Sequence, residues 1–261
     1  MSSEPILIER RDRIGLLTIN RPKVLNALDI PTTLALERAF VELDTDPDIR
    51  VIVVTGAGDK AFVAGGDISD LNSRQGLAHY QEFAEVIHRV FRRIEIADTP
   101  TIAAINGFAL GGGTELVLAL DIRIAADSAR LGLPEISLGL FPGAGGTQRI
   151  IRQVPLARAK EIMFTGGHIG AEEAREIGLV NRVVPKDQLM DAVMTTAETI
   201  AKKSPLVLKL LKRALRDGGD MPLSAALGHE QAVVSLVLDS DDAHEGCRAF
   251  LEKREPDFKG R

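Results

Sequence analysis

The segment IRVIVVTGAG, residues 49–58, constrains the fold more than any other stretch of the chain. It is a β-branched run with no polar alternation. Such a run reads as a strand covered on both faces, and strands of that kind belong to parallel sheets enclosed by helices. RIGLLTINRP (13–22), closed by Pro22, is a second candidate strand. TIAAING (101–107), after Pro100, and IRIAA (122–126), after Asp121, are two more. Helical periodicity falls between them, over 31–43 behind Asp29 and Pro31, and over 77–96. This alternation predicts an α/β fold with largely parallel strands. Beyond residue 185 the period changes. Amphipathic helices are expected over 187–203, 205–216, 222–238 and 242–253, with breaks at Ser204–Pro205 and Gly218–Gly219. We therefore read a core, 1–185, and a helical C-terminal region, 186–261. The apolar stripes of that region must be buried on the core or on a neighbouring subunit. No internal repeat, low-complexity tract or linker is visible.

Several functions are disfavoured at once. A net charge of −5 gives no electrostatic reason to expect nucleic acid or an anionic membrane as partner. The N-terminus lacks the apolar segment of a signal peptide, and no stretch reaches the ~18 apolar residues of a membrane span. The expectation is a soluble cytoplasmic protein. Cys247 is the sole cysteine, and His79, His88, His168, His229 and His244 show no zinc-ligand spacing, so no metal is expected. GAGDKA (56–61) is a truncated dinucleotide fingerprint whose sequel does not open a helix, and GAGGTQR (143–149) lacks the Gly-Lys-Ser/Thr of a phosphate loop. The basic stretch LKLLKRALR (208–216) reads as a solvated helix face rather than an RNA site.

The chemistry concentrates in glycine-rich segments. In GFALGGGTELVLALD (107–121) three glycines open an almost wholly apolar stretch that contains one carboxylate, Glu115. Glycines that open a helix leave unpaired N–H groups beside the positive end of its dipole, so 111–113 can hold negative charge. The dipole favours ionised Glu115 while burial opposes it. Close packing, with Glu115 paired to a buried arginine, is the alternative reading of this stretch. Glu135 follows Pro134 among Leu133, Ile136, Leu138, Leu140 and Phe141, surroundings that raise a carboxyl pKa. Two carboxyls in unlike environments suit an acid and a base. An exposed Glu135 on a loop is the plainer reading. KAFVAGGDI (60–68) again ends an apolar run on a glycine pair, which by itself suits a turn.

Together KAFVAGGDI, the segment 100–136, LGLFPGAGGTQR (138–149), NRPKVLNAL (20–28) and AFLEKREPDFKGR (249–261) resemble, in order and over essentially the whole chain, the signature segments of the enoyl-CoA hydratase (crotonase) family. The resemblance implies a spiral of repeated ββα units with a C-terminal helical trimerisation region, and a homo-hexamer built as a dimer of trimers. It implies reversible syn hydration of a trans-2-enoyl-CoA to a 3-hydroxyacyl-CoA, as in fatty-acid β-oxidation. Coenzyme A enters as part of the acyl-CoA substrate and no separate cofactor is implied. Glu115 and Glu135 fall on the family's catalytic pair, Glu115 activating water for attack at Cβ and Glu135 protonating Cα. Gly66 and Gly112 fall on its oxyanion-hole amides. Gly143 matches the amide that helps hold the water. Lys23, Val24, Leu25, Ala64, Asp67 and Ile68 match the coenzyme A contacts, and Phe250 and Lys253 match tail positions that meet ligand across a subunit contact.

Two positions depart from the common pattern: Gly66 where many relatives carry Ala, and Ser69 where hydratases often carry Lys. Relatives that only shift double bonds tend to keep a single carboxylate, at the position of Glu135, so the presence of both favours hydration. An enoyl-CoA isomerase and a non-catalytic acyl-CoA- or RNA-binding member of the fold are the rival readings. Residues 70–85 are expected to shape the acyl pocket.

Overall fold

The computed structural model describes residues 4–73 and 76–261. The chain opens with an antiparallel pair, β1 (Ile6–Arg11) and β2 (Ile14–Ile19), and passes through helix α1 (Ile30–Asp44) to β3 (Val51–Gly56). β3 leads to β4 (Ala61–Val63) and helices α2 (Ile68–Ser73) and α3 (Leu77–Glu95). β5 (Thr101–Ile105) leads to β6 (Phe108–Leu110) and α4 (Gly112–Ala119). β7 (Ile122–Ala126) leads to β8 (Arg130–Gly132), a 3-10 turn over Pro134–Leu138, α5 (Gly146–Ile150) and α6 (Leu156–Thr165). β9 (His168–Gly170), α7 (Ala171–Glu176) and β10 (Arg182–Val184) close the sheets. Four helices follow: α8 (Leu189–Ala201), α9 (Pro205–Gly219), α10 (Leu223–Leu238) and α11 (Asp241–Glu252).

β1 and β2 lie together in the larger sheet, and each of the pairs β3–β4, β5–β6 and β7–β8 then sends its first strand to that sheet and its second to a smaller one. The larger sheet has the order β1-β2-β3-β5-β7-β10 and the smaller β4-β6-β8-β9. Pairing is parallel except at the edges β1 and β9. This is the expected spiral of ββα units. The repeat is one of path rather than residues, which is why it leaves no repeat in the sequence. The three-residue strands are too short to show a period, and β1 carries charged residues on an edge, so neither was visible beforehand.

The β3 run is buried throughout, as its composition requires. Val51 and Val53 pack with Leu189, Val193 and Ala197 of α8. Ile52 and Val54, on the other face, join the cluster that contains Phe40 of α1 and Phe91 of α3. Fully burying each such side chain is worth ~1.5–3 kcal/mol.

The C-terminal helices differ in what they touch. α8 belongs to the face of the larger sheet. α9 is docked by its basic residues: Lys209 and Arg213 pair with Asp98, Lys212 pairs with Asp121, and Arg216 donates to Ile96 O. The basic stretch expected to face solvent therefore fastens the helix to its own core. α9 also runs through Gly218 to Gly219, two residues the sequence marked as a break. No residue of α10 is buried, and Leu223, Leu227, Leu236 and Leu238 are well exposed. Asp242 of α11 is buried and accepts from Ser204 Oγ (2.6 Å) and from the N–H groups of Lys259 (2.7 Å) and Gly260 (2.9 Å), folding the last residues back onto the start of α9.

Arg123, at the start of β7, is a buried cation without a carboxylate partner among the described residues. It donates to the carbonyls of Val117 (2.9 Å), Leu118 (3.3 Å), Leu120 (3.2 Å) and Leu179 (3.2 Å). Three of those carbonyls belong to the C-terminal end of α4 and its cap. Burial pulls the Arg123 pKa down to about 10.

Candidate active site

The three glycines at 111–113 have three different reasons to be there. Gly111 has φ +51°, a conformation that L residues other than glycine rarely adopt. A Cβ on Gly113 would lie 1.9 Å from Val63 O, so α4 is pressed directly onto β4. Gly112 is not forced in either way. A Cβ there would stand 3.6 Å from the Gly66 nitrogen, in the gap between the two backbones. The first intrahelical bond of α4 is made by Glu115 N–H to Gly111 O (3.0 Å), so the Gly112 N–H precedes it and the helix offers it no acceptor.

The facing loop, Ala64–Asp67, is held from below by the NRPKVLNAL segment. Ala64 N–H donates to Leu25 O (3.1 Å), Leu28 N–H to Gly65 O (2.9 Å) and Asp67 N–H to Leu28 O (2.8 Å). Buried Asn26 donates to Ala57 O (3.0 Å) and Ala61 O (2.8 Å). Arg21 pairs with both Asp29 and Asp67 (3.0 Å each). Asp67 thus has a fixed structural role, accepting also from Ser69 N–H (3.1 Å) at the start of α2.

Glu115 sits in the first turn of α4 and is 3% exposed. Its Oε1 accepts from the N–H groups of Ala144 (2.7 Å) and Gly146 (2.7 Å). Burial, the largest cause, pushes its pKa up to about 7; the Glu135 charge adds to this, while the two amides and Arg149 oppose it. The helix dipole was expected to favour the ionised form; the net shift is upward, with desolvation outweighing the two amides and Arg149. Glu135 lies in the 3-10 turn after β8, and its Oε1 would be 3.0 Å from a Cβ on Gly111. Burial pushes its pKa up too, with its own N–H opposing. Among the described residues its buried Oε2 has no hydrogen-bond partner.

Both carboxyls line one cavity of about 490 Å³, together with Gly66, Gly112, Ala64, Ile68 and Gly143. The other expected contacts, Lys23, Val24, Leu25, Asp67, Phe250 and Lys253, do not line it within this chain. Lys23 and Val24 lie on the 3-10 turn below the loop, and Leu25 follows it. Phe250 is on α11, 83% exposed, and Lys253 caps that helix. The remaining wall is apolar: Leu71, Tyr80, Phe83, Ala84 and Ile87 from α2 and α3, and Leu138, Leu140 and Phe141 beyond Glu135. The sequence marked 70–85 only as a block; within it, Arg74 and Gln75 lie outside the described residues. Arg149 and Glu95, which meet behind the Glu115 loop, were not singled out, because 54 residues separate them and only the fold brings them together. Chemically, the cavity presents two proton-binding groups, a pair of backbone N–H positions on adjacent loops and dry walls.

The sequence model described as Enoyl-CoA hydratase/isomerase matches residues 9–261. The chain is 42% identical to a crotonyl-CoA hydratase of Syntrophomonas wolfei, covering 99% of each. It is 40% identical to a 2,3-dehydroadipyl-CoA hydratase of Escherichia coli, over 98% of this chain and 99% of that one. The crystal structure of an enoyl-CoA hydratase from Bacillus anthracis superposes with a TM-score of 0.96 at 39% identity, covering 99% of this chain and 100% of the other.

Proposed function

The chain belongs to the enoyl-CoA hydratase/isomerase family, and from that premise we propose how its own residues add water reversibly to a trans-2-enoyl-CoA. The observation that carries the reading is the meeting of Glu115, Glu135, Gly66 and Gly112 on the wall of one apolar cavity. Attack on a conjugated thioester builds negative charge on the thioester oxygen. The Gly66 and Gly112 N–H groups are the donors for that oxygen, each such donor being worth ~2.7–4 kcal/mol.

In this reading the pair enters the reaction with one proton, since burial pushes both toward the neutral form and a charge on Glu135 raises Glu115 further. The reactive form of the pair carries the proton on Glu135, whose Oε2 has no donor to stabilise a charge. The charge resides on Glu115, which receives two N–H bonds. Glu115 takes a proton from water as its oxygen bonds to Cβ. The π electrons move to Cα and the thioester oxygen, and Glu135 delivers its proton to Cα on the same face. The sum is addition of one water; return of the proton from Glu115 to Glu135 restores the pair, and the reverse path is dehydration.

The remaining assignments follow from position. Coenzyme A runs along the Lys23–Leu25 turn beside the Ala64–Ile68 loop, a juxtaposition supported by the Leu25–Ala64 bond. The exposed apolar side chains of α10 support trimer contacts by the region after Ser204, with pairs of trimers forming a hexamer, and Phe250 and Lys253 meeting ligand of a neighbouring subunit. The apolar wall supports a hydrocarbon acyl chain, as in β-oxidation.

The deciding experiment follows loss of the conjugated thioester absorbance of crotonyl-CoA. The wild type consumes it, and Glu115→Gln and Glu135→Gln each lose about 10²–10⁴ in kcat. Wild-type turnover in either variant removes the role given to that residue.

A further inference from the structure

The loop that holds Glu115 is gripped from both sides. Gly146 leaves room for the carboxylate: a Cβ there would lie 2.8 Å from Glu115 Oε1. Gly145, its neighbour, leaves room for a cation: with φ +97°, a Cβ there would lie 2.1 Å from Arg149 Nη1. Two adjacent glycines thus place a carboxylate and a guanidinium against successive residues of one short loop. Arg149 Nη1 donates to Ala144 O (3.0 Å), while the Ala144 N–H donates to Glu115 (2.7 Å). The guanidinium is itself fixed by a two-pronged pair with Glu95, Nε to Oε1 at 3.1 Å and Nη2 to Oε2 at 3.0 Å, with Arg149 only 11% exposed. Glu95 is the last residue of α3, the helix that also supplies Tyr80, Phe83 and Ile87 to the cavity wall. Arg149 does not line that cavity.

We propose that Arg149, clamped by Glu95, is a positioning residue for the hydration reaction, setting through the Ala144–Gly146 loop where the Glu115 carboxylate stands and in which state it waits. This rests on the reading of Glu115 as the base. A forked guanidinium suits the task better than an ammonium, because it grips a carboxylate and a carbonyl in fixed directions at once. Its positive charge also favours ionised Glu115. Losing it therefore loosens the carboxylate and strengthens its hold on a proton.

The test is the pH dependence of crotonyl-CoA hydration for the wild type, Arg149→Met, Arg149→Lys, Glu95→Gln and Glu115→Gln, with folding checked by circular dichroism. For Arg149→Met we expect kcat at neutral pH to fall by about tenfold or more, with KM within about threefold. Its acidic limb moves to higher pH, so part of the loss returns in alkaline buffer. Arg149→Lys keeps the charge and restores the limb without restoring all of kcat. Glu95→Gln frees the guanidinium from its clamp but keeps its charge, so kcat falls by less than in Arg149→Met while the limb, with one carboxylate fewer nearby, moves to lower pH. An unmoved limb in Arg149→Met and Glu95→Gln, whether or not kcat falls, overturns the proposal, since a merely structural anchor would do no more than that. Should Arg149→Met fail to fold, the limb in Glu95→Gln and the kcat of Arg149→Lys decide the matter in the same terms. Glu115→Gln separates the two levels: turnover there at the wild-type rate defeats the reading of Glu115, whereas an inactive Glu115→Gln beside a normal Arg149→Met defeats only the positioning pair.

Discussion

Glu115 and Glu135 reach the same cavity on different kinds of support. Glu115 is almost fully buried on a helix, fastened by two amides, with a glycine cut to its shape. Glu135 rides a 3-10 turn with one buried oxygen unbonded. One site over-determines its side chain and the other leaves it able to adjust. A proton acceptor that must aim at a water gains from the first arrangement, and a donor that must hold its proton until the carbanion forms gains from the second.

The strongest challenge to this contrast is removal of either group. Glu115→Gln and Glu135→Gln should each cost about 10²–10⁴ in kcat, and parity between them in the crotonyl-CoA assay is compatible with it; what differs is the response to crowding. Gly146→Ala drives a methyl to within 2.8 Å of Glu115 Oε1 and 2.9 Å of Pro142 Cβ, with no slack in the carboxylate to absorb it. Its kcat should drop by about a hundredfold. Gly111→Ala meets Glu135 at 3.0 Å and a positive φ, but that carboxyl can yield, so its kcat should drop less. The reverse order in steady-state kinetics breaks the comparison.

Stability against pH sharpens it. Folding raises the Glu115 pKa from 4.5 to about 7, so the folded chain binds this proton more tightly than the unfolded one does. The contribution to stability is whole below 4.5, falls as pH rises to about 7, and is flat above, a loss of at most about 3 kcal/mol. Urea denaturation at alkaline pH should therefore find Glu115→Gln more stable than the wild type, and the gap should close on acidification. The smallest effect is expected at Gly66→Ala. There a Cβ meets Phe83 Cζ at 3.7 Å, Leu71 Cδ1 at 3.8 Å and Leu28 O at 4.0 Å, ordinary contacts, and the amide survives. Its kcat/KM should stay within about threefold of the wild type.

Much of this was legible in the residues, for physical reasons. β3 announced itself because a strand covered on both faces has no polar position to interrupt it. The helices over 30–44, 77–95 and 223–238 were readable within a residue or so: 77–95 keeps one period over several turns, and 30–44 is announced by its Asp29 cap and Pro31. Glu115 and Glu135 stood out as lone charges in apolar sequence. The rest needed the third dimension. β4, β6, β8 and β9 are three residues long and gain their identity from neighbours, not from pattern. The distinct duties of Gly111, Gly112 and Gly113 depend on Val63 and Gly66, some fifty residues away. The dipole argument for Glu115 named the right effects but could not weigh them, because the degree of desolvation is a property of packing. The basic face of α9 misled for a related reason: its acidic partners, Asp98 and Asp121, lie more than ninety residues earlier.

The guanidinium of Arg123 has a consequence for the opposite end of α4. A short helix ordinarily presents two poles, and in a small apolar interior the far one partly cancels the near one. Here the far pole is wrapped by a permanent cation that satisfies its carbonyls. What the cavity feels is then closer to a single fixed positive source, switched on before any reactant arrives and indifferent to the tide of ions outside.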